Sequence, residues 1–148
     1  MPRALTREER ERFLSEPHVG VVSLADGARG PLSSPVWYAY REGGDIVFCT
    51  REETRKARLL AVGSRVSFLV QVEGEIAKGI LPRYVSVEGP VVKLERADLD
   101  RDLRPIVQRY LGKEVGDGYL KATRGDTATG EIVVHIRPER WLTRDFGG

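Results

Sequence analysis

Asparagine is absent from this 148-residue chain, and cysteine and methionine occur once each. A single cysteine, Cys49, excludes an internal disulfide and any multi-cysteine zinc or iron–sulfur centre. It reads instead as a small apolar residue in a buried strand. No apolar run approaches the roughly 20 residues that a membrane helix needs, and the opening Met-Pro-Arg-Ala-Leu-Thr-Arg lacks an apolar stretch of the secretory type. These features point to a cytoplasmic protein with no membrane partner. Charge of one sign is not in excess either. The net charge is +2 and bases are interleaved with acids, so the broad cationic stripe of a nucleic-acid binder is missing. Equally missing are an HExxH pair, a nucleophile elbow, a glycine-rich dinucleotide fingerprint and paired carboxylates at a recognisable spacing. His18 and His135 have no acidic or cysteine partner at ligand spacing. No catalytic acid, base, nucleophile or metal ligand is therefore assigned.

What is present describes one globular domain spanning residues 1–148. With 41% hydrophobic and 31% charged residues, a chain of this length buries about 68–70% of its unfolded surface. Thr6 and Glu9 stand at capping-box spacing before a helix over residues 6–15. Residues 18–25 and 32–41 read as strands, the second rich in the β-branched and aromatic types Val36, Trp37, Tyr38 and Tyr40. Glu42-Gly43-Gly44-Asp45 supplies a hairpin turn, and residues 46–50 return as a strand. Thr50 and Glu53 then predict a second capping box and a helix opening on Arg51, Thr54, Arg55 and Lys56. Free backbone N–H groups, basic side chains and a hydroxyl at such a start suit an anion such as a phosphate.

Further along, residues 65–73 alternate apolar and polar as a half-buried strand does. A loop is expected over residues 74–82. The strand over residues 83–95 is interrupted by Gly89-Pro90, which predicts a bulge or barrel corner. Apolar residues recur at helical spacing over 97–111, with Pro105 marking a kink or a new first turn. Residues 112–118 read as a connection, 119–130 as an irregular crossing of the barrel mouth, and 131–137 as the last clear strand.

The run Pro35-Val36-Trp37-Tyr38, the turn, the Ile-Val-Phe-Cys-Thr strand and Thr54-Arg55-Lys56 together resemble the split β-barrel flavin and deazaflavin oxidoreductases, the pyridoxamine 5'-phosphate oxidase-like family. The resemblance implies a mainly β split barrel of about six antiparallel strands with two or three peripheral helices, assembled as a homodimer. It implies that Ser34, Pro35, Val36 and Trp37 lie against the cofactor ring, and that Thr50, Thr54, Arg55 and Lys56 hold its phosphate. Arg51 belongs to the same basic surface, and Trp141, from the Arg140-Trp141 pair, approaches the cofactor across the subunit boundary. The implied activity is hydride transfer from a deazaflavin, F420, to a small planar organic substrate. The excess of arginine over lysine, 19 to 5, fits a GC-rich genome, where the family's deazaflavin users are concentrated. FMN is the alternative cofactor, and a non-catalytic dimer binding flavin or haem is the alternative outside catalysis. The chain differs from true pyridoxamine 5'-phosphate oxidases at Arg144-Asp145-Phe146-Gly147-Gly148, where those carry an Arg-rich substrate segment. That difference puts vitamin B6 oxidation in doubt.

Overall fold

A computed structural model describes residues 1–148. Its elements, in chain order, are α1 (Arg7–Ser15), β1 (Gly20–Asp26), β2 (Arg29–Val36), β3 (Ala39–Tyr40), β4 (Ile46–Arg51), α2 (Arg55–Leu59), β5 (Arg65–Val72), β6 (Arg83–Arg96), α3 (Arg104–Leu111), α4 (Lys113–Arg124), β7 (Glu131–Ile136) and β8 (Arg140–Asp145). All strand pairs are antiparallel. The order across the sheet is β2-β1-β5-β6-β7-β4-β3, with β8 joined to β6. The two ends of that order, β2 and β3, are not hydrogen-bonded to each other; only Trp37 and Tyr38 lie between them in the chain. Three peptide links span at most about 11 Å, so the sheet curls until its edges meet without pairing. This is the expected split barrel, with eight strands rather than six.

Strand β6 makes the curl possible. Residues 83–90 pair with β5, and 83–88 also pair with β8 on the other side. From Val91 onward the partner is β7, and the register slips between Val91 and Lys93. Gly89-Pro90 is thus the corner that the sequence predicts. A Cβ at Gly89 would lie 1.8 Å from the carbonyl oxygen of Arg137, and only glycine lets the two backbones come so close.

The barrel interior holds a core of 19 buried residues, among them Tyr38, Phe48, Phe68 and Val134. On β5 the expected alternation holds, with Val66, Phe68 and Val70 buried between Arg65, Ser67 and Gln71 outside. Full burial of a side chain such as Phe68 contributes roughly 1.5–3 kcal/mol. On β7 the alternation fails because both faces are covered: Ile132 and Val134 belong to the barrel core, and Val133, on the other face, is buried as well. Leu99, Leu103, Val107, Leu120 and Ala128 form a second, smaller core.

Several local expectations need correction. Strand 32–41 is interrupted at Trp37-Tyr38 and becomes β2 and β3. Thr50 does not cap α2: β4 continues through Arg51, and Thr54 is the cap, its Oγ1 accepting from the Ala57 amide at 3.3 Å. Residues 112–118 are not a connection but the first half of α4. Gly116 there faces α3, where a Cβ would come 3.2 Å from the Gln108 Cα. Loop 74–82 contains one short turn of helix, Ile76–Lys78. Residues 97–111 divide into a wide turn over Leu99–Leu103, in which the Leu103 amide reaches back five residues to Asp98, and then α3 with Pro105 in its first turn. Strand β8 is an addition.

Candidate functional site

Trp37 sits where the chain crosses from one edge of the split to the other, and the residue is 36% exposed. The ring is held from behind. It stacks on Tyr110 of α3, centroids 4.7 Å apart and planes 9° from parallel. The Tyr110 hydroxyl donates to the His18 carbonyl at 2.6 Å and accepts from the Tyr38 amide at 3.1 Å. Burial raises the pKa of this hydroxyl and keeps it protonated as a donor. Next to it, Arg109 donates to the carbonyls of Leu14 and Glu16 at 2.8 and 2.6 Å and lies over the Tyr38 ring. Burial also raises the Tyr38 pKa, and its hydroxyl donates to the Leu14 carbonyl at 3.0 Å. The end of α1 and the α3 helix therefore fix the backbone from which Trp37 projects.

In front of this support Pro35, Val36 and Trp37 border a shallow cleft of about 330 Å3 with Val19 and Tyr119. Ser34 is half-buried one residue further back, paired with Val22 of β1. Behind Trp37 a smaller pocket of about 140 Å3 lies between α3, α4 and the β4–β7 pair, lined by Cys49, Val107, Tyr119 and Glu131 among others. Burial pushes the Cys49 thiol up to about 12, so it stays neutral and unreactive.

The basic cluster at α2 is partly committed within the chain. Thr50 is buried, and its hydroxyl lies 3.3 Å from that of Thr54, which donates to the Arg51 carbonyl at 2.8 Å. Arg51 pairs with Glu53 at 2.6 Å. Arg55 makes a two-pronged pair with Asp26 at the end of β1, at 2.6 to 2.9 Å, and so ties α2 to the barrel. Lys56 differs. It is half-buried, and burial is the one cause that lowers its pKa, with no carboxylate acting on it. Trp141 lies elsewhere, on β8 beneath the Arg10 guanidinium at 4.0 Å. It borders a pocket of about 280 Å3 with Arg7, Glu11, Tyr40 and Arg137.

Of the residues marked out by sequence, the structure joins Pro35, Val36 and Trp37 in one cleft and Thr50, Arg51 and Thr54 in one hydrogen-bonded group. Within this single chain Trp141 shares no pocket with Trp37. Sequence reasoning missed Tyr110, Tyr119 and Glu131. Glu131 carried a readable signal, a carboxylate opening a strand that is otherwise apolar.

The sequence pattern of the family described as pyridoxamine 5'-phosphate oxidase matches residues 6–145. No curated protein matches the chain. Among solved structures, a conserved hypothetical protein from Mycobacterium tuberculosis superposes with a TM-score of 0.74 at 22% identity, over 95% of this chain and 85% of its own. One titled F420 reductase superposes with a TM-score of 0.66 at 18% identity, over 89% and 94%. The FAD and heme binding protein of Mycobacterium smegmatis does so with 0.68 at 17% identity, over 97% and 72%. At these identities the likeness is one of fold.

Proposed function

The chain belongs to the pyridoxamine 5'-phosphate oxidase family, whose members are flavin-dependent oxidoreductases, and from that premise we propose that it is an oxidoreductase using F420 to reduce a small planar organic substrate. The observation that carries this reading is the Trp37 crossing. Pro35, Val36 and a rigidly backed, part-exposed Trp37 present an apolar wall of the kind a tricyclic ring packs against. The α2 cluster fits the phosphate of such a ligand, because Lys56 is a cation that no carboxylate claims. Burial of the ammonium strengthens its attraction to an anion.

Bound cofactor would supply the hydride chemistry. The protein's own contribution is to bind and orient. Pro35, Val36 and Trp37 set the plane of the ring, with Ser34 beside them as a hydroxyl for a ring heteroatom. Lys56, with the Thr50 and Thr54 hydroxyls, would anchor the phosphate end. Tyr110 keeps the Trp37 plane fixed, and Tyr119 narrows the approach from α4 and limits water there.

FMN is the second reading, and one observation favours it. Arg51 and Arg55 are both occupied by carboxylates, so the surface open to a long anionic tail is reduced to Lys56 and the exposed Arg58. A homodimer fits the remaining parts, because it would allow Trp141 to complete a partner's cleft, and Leu142 and Phe146 on the same edge are exposed. Light scattering would give that stoichiometry directly.

Titration of cofactor-free protein with F420 and with FMN, followed by tryptophan emission, tests the proposal. F420 is expected to bind more tightly, and Lys56→Ala to weaken it by roughly tenfold, the loss of one charge-assisted hydrogen bond. The opposite preference selects FMN. Unchanged affinity in Lys56→Ala removes the phosphate assignment, and binding without turnover favours the non-catalytic flavin or haem carrier.

A further inference from the structure

The pocket behind Trp37 is built differently from the cleft in front of it. Most of its lining side chains are hydrophobic: Trp37 and Tyr119, Leu103, Ile106 and Val107 on the helical side, and Cys49 with its neutral thiol. One end is polar. Glu131 is only 3% exposed, and its Oε1 accepts from Arg124 Nη2 at 2.6 Å and Nε at 3.1 Å. Its Oε2 is equally buried and meets no donor in the protein. A buried carboxylate oxygen with both lone pairs unused is costly. The volume is about 140 Å3, close to the roughly 150 Å3 of an apolar cavity that accepts one benzene molecule.

We propose that this pocket binds a single six-membered aromatic ring carrying a hydroxyl group, the phenol class, with the hydroxyl donating to the Glu131 carboxylate and the ring lying among Trp37, Tyr119 and Val107. Size selects one ring, because the volume is close to that of a cavity holding a single benzene. The carboxylate selects a donor, because an ether or carbonyl oxygen directed at Oε2 would bring one acceptor against another. Arg124, which lines the same pocket, keeps Glu131 in place through its two hydrogen bonds to Oε1. The site depends on no cofactor, so its fate is separate from that of the reading above.

Protein free of any cofactor is titrated with 4-fluorophenol, fluorobenzene and 4-fluoroanisole, each followed by its own fluorine resonance. Saturable one-to-one binding of 4-fluorophenol is expected, on the order of tenfold or more tighter than either analogue, the size of one hydrogen bond to a charged acceptor. Glu131→Gln is expected to narrow that preference, because the neutral amide is a weaker acceptor. Should this variant not fold, the wild-type comparison of the three ligands carries the test alone. Intermolecular proton contacts from the bound ring to the Val107 methyl groups place the ligand. Three results overturn the proposal: no saturable binding of 4-fluorophenol, equal affinity for all three rings, or contacts located away from Val107.

Discussion

Tyr110 and His18 are joined across the α1–α3 boundary by a 2.6 Å hydrogen bond from the phenol to the backbone carbonyl, and the same oxygen receives the Tyr38 amide. One side chain thus satisfies two backbone groups and also supplies the surface on which Trp37 stacks. Tyr110→Phe keeps the ring and deletes the bridge. It should destabilise the fold by about 1–3 kcal/mol, because both backbone partners are left unpaired, while the near-ultraviolet dichroism of Trp37 is retained. Tyr110→Leu should lose both. Denaturant titration together with the dichroism spectrum separates the two effects, and an unshifted midpoint in the phenylalanine variant contradicts the bridge.

Arg55 has a structural partner as well as a position in the basic cluster. Arg55→Ala leaves the Asp26 carboxylate, whose side chain is 11% exposed, without its guanidinium. A fully buried pair broken this way costs roughly 3–5 kcal/mol, but Arg55 is half in solvent, so a loss of about 2 kcal/mol is expected. Asp26→Ala is expected to act on binding. It frees Arg55, and inorganic phosphate should then bind more tightly, as calorimetry would show; weaker binding would mean that Asp26 organises the site rather than competing for Arg55.

At the β6 corner, Gly89→Ala places a methyl group on the Arg137 carbonyl. Backbone cannot retreat as a side chain does, so the β6–β7 junction has to open. The expected cost is about 3 kcal/mol, the upper end of overpacking effects. Thermal denaturation of the variant checks it, and a melting temperature within a degree of wild type would show that the corner yields.

Acid should remove contributions at α1 and at the α3–α4 contact. Asp117 is held down to about 2 by hydrogen bonds from Gln108, Lys113 and Arg104, and Glu9 to about 2 by Arg3 and the Thr6 amide. Both folded values lie below the ordinary 3.8 and 4.5. The unfolded chain therefore binds more protons in this interval, so their stabilisation is complete above about pH 4.5 and disappears as pH falls towards 2. Melting temperature measured from pH 5 to 2 should decline with a slope that Asp117→Asn and Glu9→Gln each reduce. A slope unaffected by either substitution assigns the acid sensitivity to other groups.

Local features were readable and distant ones were not. The Thr6–Glu9 capping box formed as its spacing requires, with both reciprocal bonds present, because every partner lies within one turn. The β5 alternation and the Gly89-Pro90 corner were legible for similar reasons. Thr50 misled because Glu53 at capping distance is equally compatible with a strand end, and the structure turns Glu53 to Arg51 instead. Helix α4 was hidden by Gly116 and Gly118, which read as loop residues; at Gly116 the missing side chain serves close contact with α3. At the site, the aromatic strand was visible through its family resemblance. The Asp26 partner of Arg55, 29 residues away, and the Tyr110 support of Trp37 were not. Such pairings follow from how the sheet curls, which no local pattern encodes.

Because β6 gives its hydrogen bonds to β5 and β8 at one end and to β7 at the other, neither half of the barrel can be released while it stays paired. Amide hydrogen exchange should reflect this. The amides of Val85 and Val87, at the centre of a three-strand ladder and almost wholly buried, are expected to exchange only through global unfolding, whereas those of the two-residue edge strand β3 exchange through local opening. The slowest-exchanging part of the molecule would then be its longest strand, at a distance from the Trp37 cleft, leaving the split edge as the region able to open without unfolding the rest.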